Sequence, residues 1–189
     1  MNALACLMVL GMMGQSEPAK DTSETTLNDK VVEFARDHLG EKVGDGQCTS
    51  LAVEALTHAG AKLDPFRGDG DFVWGRPLDS PKEAKPGDVL QFRDAVFKGR
   101  HRLPGGGIRT TTQKYSHHTA IVTEAKAGGK VLVILHQNVS SQGKEYKQVV
   151  QQGTITLSEL QKGGWVRAYR PVAKELPKPA DDGDDPFKP

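Results

Sequence analysis

Gly44-Asp45-Gly46-Gln47-Cys48-Thr49-Ser50-Leu51-Ala52 reads as a glycine-loosened turn that delivers one cysteine to the start of an apolar helix. The predicted helix runs from about Cys48 to His58, with Leu51, Ala52, Ala55 and Leu56 on one face and Gly60 closing it. A helix N-terminus carries about half a positive charge and unpaired N–H groups. A thiol held there ionises more readily, and the thiolate is the attacking form. Cys48 is therefore a candidate nucleophile. Cysteine is also among the most buried residue types, so packing of the first turn competes as an explanation.

Upstream, Thr26 or Asn28 can cap a first helix in which Val31, Val32, Phe34, Ala35 and Leu39 form an apolar stripe ended by Gly40. Downstream, strands dominate. Pro86-Gly87-Asp88 is a turn leading into Val89–Phe92, followed by strands at Thr119–Thr123, Val131–Gln137, Gln148–Thr156 and Trp165–Arg170. Ala127-Gly128-Gly129-Lys130 is a hairpin turn between the second and third. Leu157–Leu160 reads as a helical turn, and Asp94–Tyr115 as a long insertion of the kind that forms a mobile flap. The expected class is α+β: N-terminal helices packed on a mostly antiparallel sheet of about five strands.

With 189 residues and 37% hydrophobic content the chain suits one globular domain. Its net charge of +1 leaves no basic footprint for nucleic acid and no polybasic membrane signal. Residues 1–14 hold an apolar run too short to span a bilayer and of signal-peptide length, so a secreted or periplasmic protein is expected. Residues 15–27 read as a flexible segment, 28–172 as the folded domain, and 173–189, rich in Pro and Asp, as a disordered tail. Cleavage after the apolar run removes Cys6 and leaves Cys48 as the single thiol.

A cysteine nucleophile needs a base and a group to orient that base. Strand alternation puts His118, Ala120 and Val122 on one face and turns His117 the other way. The tight turn between the second and third strands brings His118 opposite His136 or Asn138, either of which can fix its tautomer. Gln47 is a candidate for shaping an oxyanion hole beside the Cys48 backbone N–H. A zinc site built from Cys48, His117, His118 and His136 is disfavoured, because adjacent histidines on a strand diverge. Asp64–Asp71, with its Arg67-Gly68-Asp69, is a weak candidate for calcium or receptor binding.

Gly46-Gln47-Cys48-Thr49, Pro86-Gly87-Asp88-Val89-Leu90-Gln91-Phe92, His118-Thr119-Ala120-Ile121-Val122 and His136-Gln137-Asn138, in this order, resemble the landmarks of CHAP amidase domains. These belong with the NlpC/P60 group of papain-like cysteine hydrolases. The resemblance covers roughly residues 28–172 and implies a papain-like fold. It also implies Cys48 as nucleophile, His118 as general base and then acid, and His136 or Asn138 as orienter. CHAP domains usually carry Glu at the place of His136, whereas NlpC/P60 members accept His there. The chain is similar, too, to a cysteine-proteinase-fold domain at the end of some fungal cortical-actin proteins, a likeness that implies no activity. The hydrolase reading is cleavage of an amide through an acyl-thioester on Cys48, with a peptide or peptidoglycan-like substrate, no cofactor, no metal and a monomeric chain. The alternative is a binding module that keeps the fold without turnover.

Overall fold

The computed structural model describes residues 26–63, 71–140 and 147–174. The expected signal segment 1–14, almost all of 15–27 and of the tail 173–189, and Asp64–Gly70 of the Asp64–Asp71 segment lie outside the described residues.

The chain begins with two helices, α1 (Leu27–Asp37) and α2 (Cys48–Ala59). Thr26 caps α1: its hydroxyl accepts from the Asp29 N–H while the Asp29 carboxylate accepts from the Thr26 N–H. Gly60 ends α2 in the left-handed conformation at φ 79°. Strands β1 (Arg76–Pro77), β2 (Val89–Arg102), β3 (Ile108–Lys126), β4 (Val131–His136), β5 (Gln151–Thr156) and β6 (Trp165–Arg170) follow. They form one antiparallel sheet in the order β1-β6-β2-β3-β4-β5. The α+β class holds, with six strands instead of about five because the two-residue β1 joins the edge beside β6.

Both faces of the sheet are covered, which is why β4 is apolar at every position but its last. One face packs Val89, Ile121, Leu135 and Tyr169 against Val31, Ala35, Leu51, Ala55 and Leu56 of the helices. The other buries Leu90, Phe92, Ala120, Val122, Ile134, Ile155 and Val166 in a second apolar layer.

Asp94–Tyr115 is not a structureless flap. It is the outer half of a long β2–β3 hairpin, paired from Arg93 opposite His117 to Arg102 opposite Ile108, with Gly105 and Gly106 turning at φ 98° and 95°. Asp94 sits at φ 46°, and beyond it the parity of the buried positions flips. Phe97 and Tyr115 thereby join Phe92 and Ala120 in the second layer. The basic and threonine-rich tip conceals this in the sequence, because it has no apolar alternation to announce a half-buried strand.

Asp88 fastens helix to sheet. Its fully buried carboxylate accepts from Arg170 Nε and Nη2 at 3.1 and 2.8 Å, from Asn28 Nδ2 at 3.0 Å and from the Lys85 N–H at 2.9 Å. Gly87, at φ 86°, lies directly under α1, where an added Cβ would fall 2.4 Å from the Asn28 carbonyl oxygen. Replacing Gly87 by Ala therefore combines a strained φ with a backbone clash and should lower stability by about 2–3 kcal/mol. Urea unfolding reads this directly; an unshifted midpoint would mean that α1 can lift from the sheet at no cost.

Candidate functional site

The turn ahead of α2 is set by its neighbours more than by its own composition. Gly44 and Gly46 adopt φ 56° and 88°, and the Asp45 carboxylate accepts from the Gln47 N–H at 2.9 Å and from the Ser50 hydroxyl. These bonds hold the Asp45 pKa below its ordinary value, the Ser50 hydroxyl contributing most. Gln137, fully buried at the end of β4, clamps the turn from the far end of the chain. Its Nε2 donates to the carbonyls of Gln47 and Val43 at 2.7 and 2.8 Å, and its Oε1 accepts from the Val43 N–H at 3.2 Å. Asn138 Nδ2 donates to Gln47 Oε1 at 2.7 Å. Asn138, expected to orient His118, instead binds Gln47, the residue expected to shape an oxyanion hole beside Cys48.

Cys48 opens α2 half-buried, and Gln47 caps the helix without a side-chain hydrogen bond. Burial pushes the thiol pKa up, the backbone amides of Thr119, Thr49 and Cys48 itself oppose that shift, and the nearby Asp45 carboxylate adds to it. The balance favours the neutral thiol. A helix N-terminus alone does not activate a sulfur whose burial favours the neutral form.

His118 is the decisive residue. As the alternation predicts, it shares a face with Ala120 and Val122 while His117 is exposed. That face is the one turned away from the helices. The His118 ring stacks on Tyr115 with centroids 4.9 Å apart and planes 15° from parallel, and it lies 5.9 Å from Phe92 across the β2–β3 pair. Its Nε2 is 3.0 Å from His136 Nδ1, so one ring donates and the other accepts. The helix-side place next to Cys48 is taken by Thr119, whose hydroxyl donates to Gln91 Oε1 at 3.0 Å. Trp74 Nε1 donates to the same oxygen at 3.0 Å. Among the described residues no hydrogen bond joins Cys48 to His118.

The structure therefore pairs the predicted residues as His118 with His136 and Gln47 with Asn138, on different faces. β4 ends at His136 and Asn138 turns to φ 58°, so the strand alternation that would align Asn138 with His136 stops one residue short. Burial, followed by the neighbouring His136, holds the His118 pKa well below its usual value, and burial alone lowers His136 to about 4. Gly153 makes room for the pair: a Cβ there would lie 3.0 Å from His136 Nε2. Sequence reasoning missed Gln137, Gln91 and Thr119. Gln137 and Gln91 are buried polar residues beside apolar neighbours, and a polar residue in an apolar run was their only available signal.

Residues 21–180 match the AIM3/BBC1 cysteine proteinase-fold domain, and the chain belongs to this family. It is similar to altered inheritance of mitochondria protein 3 of Debaryomyces hansenii, with 28% identity over 167 residues, covering 79% of this chain and 16% of that protein. No solved structure matches.

Two outcomes test this geometry. The folded protein keeps both rings neutral, whereas the unfolded chain titrates near 6.5 and binds more protons below that pH. Stability is full above about pH 6.5 and falls as the pH drops toward 4, by on the order of 3 kcal/mol for His136. Urea unfolding at stepped pH should show this loss, and His136→Gln should make it shallower while buried His118 keeps its own share; a wild-type profile flat over the interval would place the rings in water. Gln137→Ala leaves the Val43 N–H without its acceptor and should cost about 1–3 kcal/mol, with faster hydrogen exchange confined to residues 43–47.

Proposed function

We propose that this member of the AIM3/BBC1 cysteine proteinase-fold family is a binding module that keeps the fold of a cysteine hydrolase without its dyad. The observation that carries the reading is the face on which His118 lies. A general base must come within hydrogen-bond reach of the proton it takes, directly or through one water. His118 spends its Nε2 on His136 in an apolar layer, with the sheet between it and α2. The thiol meets Thr119 instead, and burial and Asp45 both keep it protonated.

The relative's name speaks of altered inheritance of mitochondria, a cellular process and no reaction. Because the chain spans 16% of that protein's length, a role as one module serving the work of a larger polypeptide is the natural extension. The finer hydrolase reading, with Cys48 as nucleophile and a CHAP or NlpC/P60-like amidase chemistry, needs the imidazole on the opposite face of β3.

A thiol-reactive probe separates the two. In a Cys6→Ser background, chloroacetamide should label Cys48 no faster than a free cysteine at neutral pH, and His118→Asn should leave the rate within about twofold of the parent, well short of the 10²–10⁴-fold that acid–base assistance supplies. Prompt labelling that His118→Asn abolishes, in a variant whose circular dichroism matches the parent, would overturn the binding-module reading and restore the acyl-thioester hydrolase.

A further inference from the structure

The outer β2–β3 hairpin gathers charge that the whole-chain balance conceals. Between Lys98 and Lys114 the chain carries Lys98, Arg100, Arg102, Arg109 and Lys114 and no acidic residue, while the entire protein is only +1. The remainder is therefore net acidic. Alternation puts Lys98, Arg100 and Arg102 on one face of β2 at steps of about 7 Å. Their cross-strand partners Thr112, Thr110 and Ile108 share that face, and Lys114 lies further along it opposite Val96. All four cations are exposed, and none forms a salt bridge among the described residues. Asp94 lies at the base of the hairpin, beside Arg93, and Glu159 packs under Gly99 and beside His101, on the side away from Lys98, Arg100 and Arg102.

The tip adds a second feature. Leu103 and Ile108 are 45% and 56% exposed and flank the Pro104–Gly107 turn, which closes through a hydrogen bond from the Leu103 N–H to the Gly107 carbonyl at 2.7 Å. Apolar side chains at the end of a cationic protrusion match a surface that is anionic outside and apolar just beneath. An acidic peptide lying along the ladder would use the cations and leave the tip unexplained. The end of the hairpin is exposed at every residue from 101 to 110, whereas sites for small molecules are concave.

We propose that the β2–β3 hairpin docks the domain on an anionic lipid bilayer. Lys98, Arg100, Arg102 and Lys114 face the headgroups, and Leu103 and Ile108 enter the interfacial layer. The surface is remote from the thiol and does not depend on whether Cys48 reacts.

Co-sedimentation of the full chain with vesicles tests this. Binding to phosphatidylcholine vesicles containing phosphatidylserine should exceed binding to phosphatidylcholine alone and weaken as salt rises. Lys98→Ala with Arg100→Ala and Arg102→Ala should lower the apparent affinity about a hundredfold, since each surface cation contributes roughly fivefold. In a Leu103→Trp variant the emission of the added indole, taken as the difference from the parent, should shift to the blue with the anionic vesicles. These side chains are exposed, so thermal unfolding of each variant should match the parent. Equal sedimentation with both vesicle types, a triple variant that binds like the parent, or an indole emission that stays in place would overturn the proposal. So would binding to polyglutamate with no binding to vesicles, which would assign the ladder to an acidic protein instead.

Discussion

The helix-side contacts of β3, the Thr119 hydroxyl on Gln91 and Ile121 in the core against α1 and α2, tie the strand to one register. On a strand a slip of a single residue exchanges the two faces. Such a slip would carry His118 to the helix side, move Ile121 out of the core of α1 and α2, and strip Gln91 of the Thr119 hydroxyl. Each of those losses buries an unmet polar group or opens a cavity. The register that satisfies Gln91, Trp74 and Ile121 is thereby the register that keeps the imidazole away from the thiol. Chemistry at Cys48 is decided by the needs of a sheet with two covered faces.

The same two-sided burial explains the division of labour among the polar residues. Asp88 joins β2, β6 and α1, Gln137 joins β4 to the turn before α2, and Gln91 joins β2, β3 and the segment at Trp74. Each is nearly or fully buried, and among the described residues no buried side-chain polar atom lacks a partner. Polar groups inside an apolar domain are costly unless matched, and matched ones fix a single arrangement.

Much of this was legible in the residues. The helix from Cys48 to Gly60, the strand Trp165–Arg170, the 3₁₀ turn at Leu157–Glu159 and the meeting of His118 with His136 all follow from period, turn residues and hairpin pairing. Which face of β3 receives the helices did not follow, because Ile121 and Val122 are equally apolar and both are buried. The outer hairpin was unreadable for a different reason. Its strands are held by cross-strand bonds, by Ala95, Phe97 and Tyr115 and by bonds to distant residues such as Gln161 and Thr154, and the cations at its tip resemble a solvated loop. The clamp by Gln137 depends on a contact spanning 90 residues or more, which no local pattern encodes.

That long reach governs the order in which the molecule can be completed. Helix α2 draws on local contacts and can form while the chain is still being made, but the turn before it needs a partner some 90 residues later. Until Gln137 has left the ribosome, the nascent chain carries Cys48 on an unfastened turn, open to oxidants and other thiols. Gln137, the residue just past β4, thus acts as the latch on the turn that carries the sulfur.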